Sequence, residues 1–488
     1  VENALATLAD TIAATDAARP AFVGDDFAIT YADLTERIAA ARAALRDTGV
    51  RPGDRVAISL ASAPEFAVAF YATLGVGAVA VPVNPALTPR EASFYLEDSG
   101  AVVLVRRPGA EWAGSKGLRT IGPEGLQGPG GRREVAAVAP DTTAVLLYTS
   151  GTTGVPKGAE LTHDNLVFNA TALSDPAIIG PSPGDVVAGI LPLFHTMGLT
   201  VLNVTLLCGA AMWPIEKFDG RRIAELIDGG KISILSGVPT HLQMIMAASD
   251  DLSLPAPLRR VSTAGSELPA SISEWVKARL GTSVIEGYGL TEASPTVAYN
   301  RADTEIRPGS VGRPVPGVDV QIVDPNGDPA EPGSLGHIHV RGPNVMKGYW
   351  NQPRATSETV RNGWLATGDV GRVDADGYLY VVDRLKQIII RAGYNVYPRE
   401  IETVLSEHPA VAAAVVVGVP DARVGEEIAA FVLGTGAPIT EDELRRHAST
   451  NLAAYKTPRR YFFTSEFPRT ATGKIARAEL RDSLLRDG

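Results

Sequence analysis

Between Arg55 and Val105 the chain alternates two patterns, and this alternation limits the fold more than any other feature. "RVAISL", "AVAVPV" and "AVVLV" are short, continuous apolar runs; "PEFAVAFYATL" and "PREASFYLEDSG" lie between them with helical spacing. Strands joined through helices pair in parallel, because a parallel crossover needs a dozen or more residues. The expected class is therefore α/β. "GVGAVA" (Gly75 to Ala80) imitates a dinucleotide fingerprint, but it follows a helix and opens a strand, the reverse of what that turn requires.

At 488 residues the chain is too long for one ordinary core, so two or more domains are expected. Its 45% hydrophobic and 20% charged residues are those of a soluble globular protein. A net charge of −10 argues against nucleic acid as a general partner. No apolar run approaches the roughly 18 residues of a transmembrane segment, and none is expected. The start "VENALATLAD" has neither a basic stretch nor an apolar signal core, so export is not expected. Cys208, the single cysteine, sits in the apolar "VTLLCGAAMW" and reads as a small packed residue rather than a catalytic thiol. Its solitude suits a reducing, cytoplasmic setting.

Past Pro308 the pattern changes to short strands broken by Asn-Gly, Asp-Pro and Pro-Gly turns, which predicts hairpins or a small barrel. After Arg384 a compact unit remains, with helices at "REIETVLSEH" and "TEDELRRHAST" and strands at "VAAAVVVGV" and "EIAAFVLG". Thr440 and Glu443 make a capping box for the second helix.

The chemistry starts at "YTSGTTGVPKGAELTH", Tyr148 to His163. A strand, "AVLLY", precedes it and a helix capped by Thr162 follows. Glycines let backbone N–H groups turn toward an anion, Thr149, Ser150, Thr152 and Thr153 add hydroxyls, and Lys157 adds a point charge. The loop is not a Walker A motif, since Pro156 and Gly158 flank the lysine. Beside the phosphate reading stands a plain surface turn.

Further stretches agree with it in order: "PLFHTMGL", "EGYGLTEASP", "GWLATGDVGRVDADGYLYVVDRLKQIIIRAGYNVYPREIE" and "PRTATGKIARAEL". Together they resemble the adenylate-forming superfamily, specifically its acyl-CoA synthetases, over essentially the whole chain. The resemblance implies a large N-terminal domain, residues 1–384, of two α/β subdomains with parallel sheets and a β-rich subdomain. A small mobile α+β domain, 385–488, would follow. It also implies ATP, Mg²⁺ and CoA, and a two-step reaction. A carboxylate attacks the α-phosphate of ATP to give an acyl-adenylate and pyrophosphate, and a thiol then displaces AMP.

By the same resemblance, Thr149, Ser150, Gly151, Thr152, Thr153, Gly154 and Lys157 hold the β- and γ-phosphates. Gly265, Ser266, Glu267, Gly287, Tyr288 and Gly289 belong to the nucleotide and acid cleft, with Tyr288 stacked on adenine. Thr291 contacts the α-phosphate and Glu292 binds Mg²⁺; a helix-start carboxylate is the plainer reading of Glu292. Asp369 accepts from the ribose hydroxyls, a task for an acceptor with two oxygens, and Arg384 assists. Lys474 bridges the carboxylate and α-phosphate and is the main catalytic residue of the first step. Lys386 stands at the interdomain hinge, with a charge that solvates the linker as the plainer reading, and after rotation Gly393 meets the pantetheine arm. His195 walls the acyl pocket near the carboxylate.

Gly287 stands where dicarboxylate-using members carry an arginine. It offers no charge and leaves room, so an apolar monocarboxylate is expected: first a medium- or long-chain fatty acid, next an aryl acid. A buried, unpaired second carboxylate would be costly. CoA is the expected acceptor. A carrier-protein pantetheine, as in an acyl-ACP ligase, remains an alternative, because both end in the same arm; a nucleotide-binding regulator is a third reading.

Overall fold

The computed structural model describes residues 16–109, 117–128, 134–149, 156–254, 258–392, 394–421, 423–469 and 475–486. The chain divides into two compact units. One comprises Val1–Val320, His339–Thr367 and Asp376–Leu379; the other comprises Gln321–Ile338, Gly368–Ala375 and Tyr380–Gly488.

Two large sheets build the first unit. One has seven strands in the order Gly348–Tyr349, Lys157–Thr162, Thr143–Thr149, Val79–Pro82, Arg55–Ser59, Val103–Arg106, Arg119–Ile121. Arg55–Ser59 runs parallel to both its neighbours, as the βαβ alternation requires. The connecting helix Pro64–Gly75 is buried at every position from Phe66 to Gly75, because it packs on the sheet and on the helix Tyr31–Asp47. Local sequence sets the ends of the next helix, Pro89–Ser99. Thr88 and Glu91 form a capping box, and Gly100 closes it in the left-handed region at φ 60°.

The second sheet has nine strands in the order Arg313–Pro314, Thr296–Tyr299, Val284–Gly289, Arg260–Ala264, Ile234–Gly237, Val186–Gly189, Ala211–Pro214, Pro20–Val23, Ala28–Thr30. Its centre is parallel: Arg260–Ala264 lies between Ile234–Gly237 and Val284–Gly289. The strand signal "VVAGILPLF" becomes a strand over Val186–Gly189, and the rest leads to the helix Thr196–Leu207. Pro192 in that stretch has no N–H for a ladder. Tyr71 on the helix Pro64–Gly75 donates to Asn203 Oδ1 on the helix Thr196–Leu207 at 2.7 Å, both residues buried.

In the second unit Gly425–Gly434 pairs antiparallel with Val411–Asp421 and parallel with Arg460–Thr464, and the hairpin Ile389–Arg391/Tyr394–Val396 completes five strands. The helices Pro398–Ser406 and Glu441–Asn451 pack Ile401, Leu405, Leu444 and Ala448 into its core, and Thr440 caps the second with Glu443 closing the box. The β-rich stretch past Pro308 is a five-stranded sheet of Asp319–Val323, Gly336–Arg341, Val360–Arg361, Trp364–Val373 and Leu379–Arg384, rather than a closed barrel. Among the described residues no helix is long and apolar enough to cross a membrane. Cys208 is half-buried after the helix Thr196–Leu207, and burial pushes its thiol up to about 11, so it is no ready nucleophile.

Candidate active site

The strand Thr143–Thr149 enters the seven-stranded sheet with Thr143 to Leu147 buried, and the chain returns as Lys157–Thr162 with Thr149 opposite Lys157. The glycine-rich stretch therefore joins two antiparallel strands. The strand Lys157–Thr162 separates it from the helix His163–Leu173, which Thr162 caps as expected. Ser150, Gly151, Thr152, Thr153 and Gly154 lie outside the described residues. Their flanks are held: Tyr148 donates to Asp98 Oδ2 at 2.7 Å, and its ring packs 4.5 Å from that of Tyr95.

Lys157 Nζ lies 5.0 Å from the centroid of the Tyr349 ring, and the Tyr349 hydroxyl donates to Glu292 Oε1 at 2.8 Å. Tyr349 thus stands between the cation and the carboxylate assigned to phosphate and metal. Burial first, and the Glu292 charge second, push its pKa far up, so it remains a protonated donor. Nothing in the motifs singled Tyr349 out. The strand pairing of Gly348–Tyr349 with Lys157–Thr162 brings it there, and Met346 N–H donating to the Glu292 carbonyl at 2.9 Å holds the two segments together.

At the other large sheet, Gly265, Gly287, Tyr288 and Gly289 lie at the carboxyl ends of parallel strands, where open α/β sheets hold their ligands. Gly289 has to be glycine: a Cβ there would lie 1.9 Å from the Pro295 carbonyl oxygen. Thr291 and Glu292 follow in a short 3-10 turn, Thr291–Ala293, and Thr196 donates to Thr291 Oγ1 at 3.1 Å. Thr196 opens the helix Thr196–Leu207; His195 is its exposed N-cap, with Nδ1 3.4 Å from the Met197 N–H it accepts. His195, Thr196 and Thr291 are thus drawn together. Gly265 has φ 92°, and Ser266 and Glu267 follow it exposed.

Gly287 differs from expectation. It pairs with Ala264 on one side and Tyr299 on the other, and a Cβ on it would lie 2.4 Å from Tyr299 Cζ. The space the glycine leaves is filled by a tyrosine ring only 3% exposed.

In the second unit Asp369 is buried on Trp364–Val373, and Arg384 Nε donates to its Oδ1 at 2.9 Å. The two proposed ribose ligands therefore meet. Asp383, also buried, accepts from the Arg384 N–H at 2.7 Å and from the Arg399 N–H at 3.0 Å, fixing the backbone at that arginine. Gly393 and Lys474 lie outside the described residues. Beside the first, Ala392 holds a left-handed φ of 51°; beside the second, Arg469 and Ile475 form an antiparallel bridge.

A family described as AMP-binding enzyme matches residues 9–350, and the AMP-binding enzyme C-terminal domain matches 400–474. The chain is an AMP-binding enzyme of the adenylate-forming superfamily. It is 40% identical over 468 residues to a feruloyl-CoA synthase of Amycolatopsis sp, covering 93% of this chain and 94% of that one. It is 34% identical to a long-chain-fatty-acid–CoA ligase of Bacillus subtilis (strain 168), covering 93% and 89%. Among solved structures, the o-succinylbenzoate coenzyme A synthetase of Bacillus subtilis in complex with ATP and magnesium ion matches with a TM-score of 0.88 at 32% identity, covering 98% and 99%. This AMP-binding enzyme is an ATP-dependent, AMP-forming ligase of carboxylic acids and CoA, using ATP, Mg²⁺ and CoA.

The residues present suit Mg²⁺. Glu292 offers a hard carboxylate of which Tyr349 engages one oxygen, and no group of three ligating side chains occurs among the described residues. A single hard carboxylate such as Glu292 suits a Mg²⁺ that arrives with nucleotide phosphates and takes one or two protein carboxylates.

Proposed function

We propose that this ligase activates an apolar monocarboxylic acid and passes it to CoA, with an aromatic acid ahead of a fatty acid. The supporting observation is the Tyr299 ring packed over Gly287. The sequence reading placed a medium- or long-chain fatty acid first because glycine leaves room; a long chain would need the volume this ring fills. A flat ring can instead lie against another ring in offset or edge-on contact. The absence of charge at Gly287 still argues against a dicarboxylate. The 40% identity to a feruloyl-CoA synthase supports the aromatic order, and the 34% identity to a long-chain ligase keeps fatty acids as the second reading.

In this proposal Thr149 and Lys157, with the loop between them, neutralise the β- and γ-phosphates. Glu292 holds Mg²⁺, Thr291 meets the α-phosphate, Tyr288 stacks on adenine, and Asp369 with Arg384 binds ribose. Lys474 stabilises charge as it passes from carboxylate to phosphate, the kind of electrostatic help this chemistry needs most. His195 lies along the acid. Residues 385–488 move about Lys386 between the two half-reactions, bringing Gly393 to the thiol, and the enzyme works in the cytoplasm.

A panel of aromatic and saturated straight-chain acids, assayed for AMP release with CoA and with a pantetheine-loaded carrier protein, tests the reading. Aromatic acids should give the highest kcat/KM, and CoA the product. Preference for long-chain acids would restore the fatty-acid order, and product on the carrier protein alone would replace CoA.

A further inference from the structure

The Tyr299 hydroxyl is unusually placed. Tyr299 ends the strand Thr296–Tyr299, opposite Gly287, and is 3% exposed. Its oxygen makes one contact among the described residues, to the Met197 thioether sulfur at 4.0 Å. A thioether is a weak acceptor, whereas a buried tyrosine hydroxyl ordinarily finds a good one. Burial pushes the phenol pKa far up, so the group is a neutral donor at any working pH.

The position is not incidental. Met197 is in the first turn of the helix Thr196–Leu207, its N–H donates to His195, and Thr196 contacts Thr291. The hydroxyl therefore lies against the first turn of the helix whose Thr196 contacts Thr291, and its ring covers Gly287 at the carboxyl end of a parallel strand. A buried donor left with a poor partner at a binding cleft fits a ligand that brings an acceptor.

We propose that Tyr299 is a specificity-determining residue whose hydroxyl bonds an oxygen substituent on the acid, away from the reacting carboxylate. The substrate class is then an aromatic monocarboxylic acid carrying a ring hydroxyl or ether oxygen. This rests on the aromatic-acid reading above. The carboxylate itself has to reach the α-phosphate near Thr291, so the tyrosine is left to read another part of the molecule. The ring of Tyr299 sets the shape of the pocket, and its oxygen sets the preference within that shape.

The test compares matched acids, cinnamic with 4-hydroxycinnamic and benzoic with 4-hydroxybenzoic, on the wild-type enzyme and Tyr299→Phe. Phenylalanine keeps the ring over Gly287 and removes only the oxygen, and a thermal melt confirms that the variant folds. The wild type should favour the better hydroxylated acid by about tenfold in kcat/KM, the scale of one neutral hydrogen bond. In Tyr299→Phe that ratio should fall to within about twofold, mainly through KM. A merely structural tyrosine would change both acids of a pair alike and leave the ratio untouched; that result overturns the proposal while leaving the aromatic-acid reading in place. A wild type active on fatty acids and on none of the aromatic ones would overturn both.

Discussion

At Gly287 the side chain that any other residue carries would begin 2.4 Å from Tyr299 Cζ, well inside van der Waals contact. The constraint is steric, since this glycine is not among those at positive φ. Gly287→Ala should cost about 1–3 kcal/mol, the usual range for overpacking a filled core, read from urea midpoints. Tyr299→Leu in the same chain should recover much of the loss, because coupled neighbours are not additive; an unaffected midpoint in the single variant would show that the ring yields freely. Tyr349 carries the second prediction at this scale. Its hydroxyl orients the Glu292 carboxylate at 2.8 Å, and partners of metal ligands typically tune metal affinity. Tyr349→Phe should raise the Mg²⁺ concentration for half-maximal adenylation roughly 10-fold or more, with little loss at saturating Mg²⁺. A Mg²⁺ curve identical to wild type would remove Glu292 from the metal or Tyr349 from Glu292.

Among the elements, the helix His163–Leu173 shows how local rules and burial combine. Thr162 accepts from Asn165 N–H at 3.1 Å and Asn165 Oδ1 accepts from Thr162 N–H at 2.9 Å, a reciprocal cap written entirely within four residues. Its first residue, His163, is 3% exposed, and burial lowers its pKa to about 4. The positive end of the helix dipole disfavours a charge there as well. The unfolded histidine titrates near 6.5, so between about 6.5 and 4 the unfolded chain binds more protons and stability rises with pH. The contribution is complete above about 6.5 and is lost as pH falls toward 4, on the order of 3 kcal/mol in full. Urea midpoints at pH 7.5, 6 and 5 should show the decline. His163→Asn should flatten part of it, while His241, also held near 4 by burial, sustains the rest; an unchanged slope in the variant would mean that His163 is not the group titrating.

For the whole molecule, the proposed cycle asks residues 385–488 to serve two half-reactions in turn. Lys474→Ala should reduce acyl-adenylate formation by about 100-fold or more, the scale of losing a transition-state electrostatic contact, yet leave thioester formation from supplied acyl-adenylate within about threefold. Pyrophosphate exchange and thioester release measure the halves separately, and equal losses in both would end the assignment of Lys474 to the first step alone. Much of this molecule was readable before any fold was known. The alternation from Arg55 to Val105, the caps at Thr162 and Thr440, and the order of the motifs depend on residues a few positions apart or on simple periodicity, so the sequence by itself determined the α/β class, the family and most elements. It also marked Asp369 and Arg384, which do meet. Strand register, by contrast, is a property of two distant segments at once. Only the tertiary structure placed Tyr349 on Glu292, 57 positions away, paired the strands on either side of the glycine-rich stretch antiparallel, and set the Tyr299 ring into the space beside Gly287.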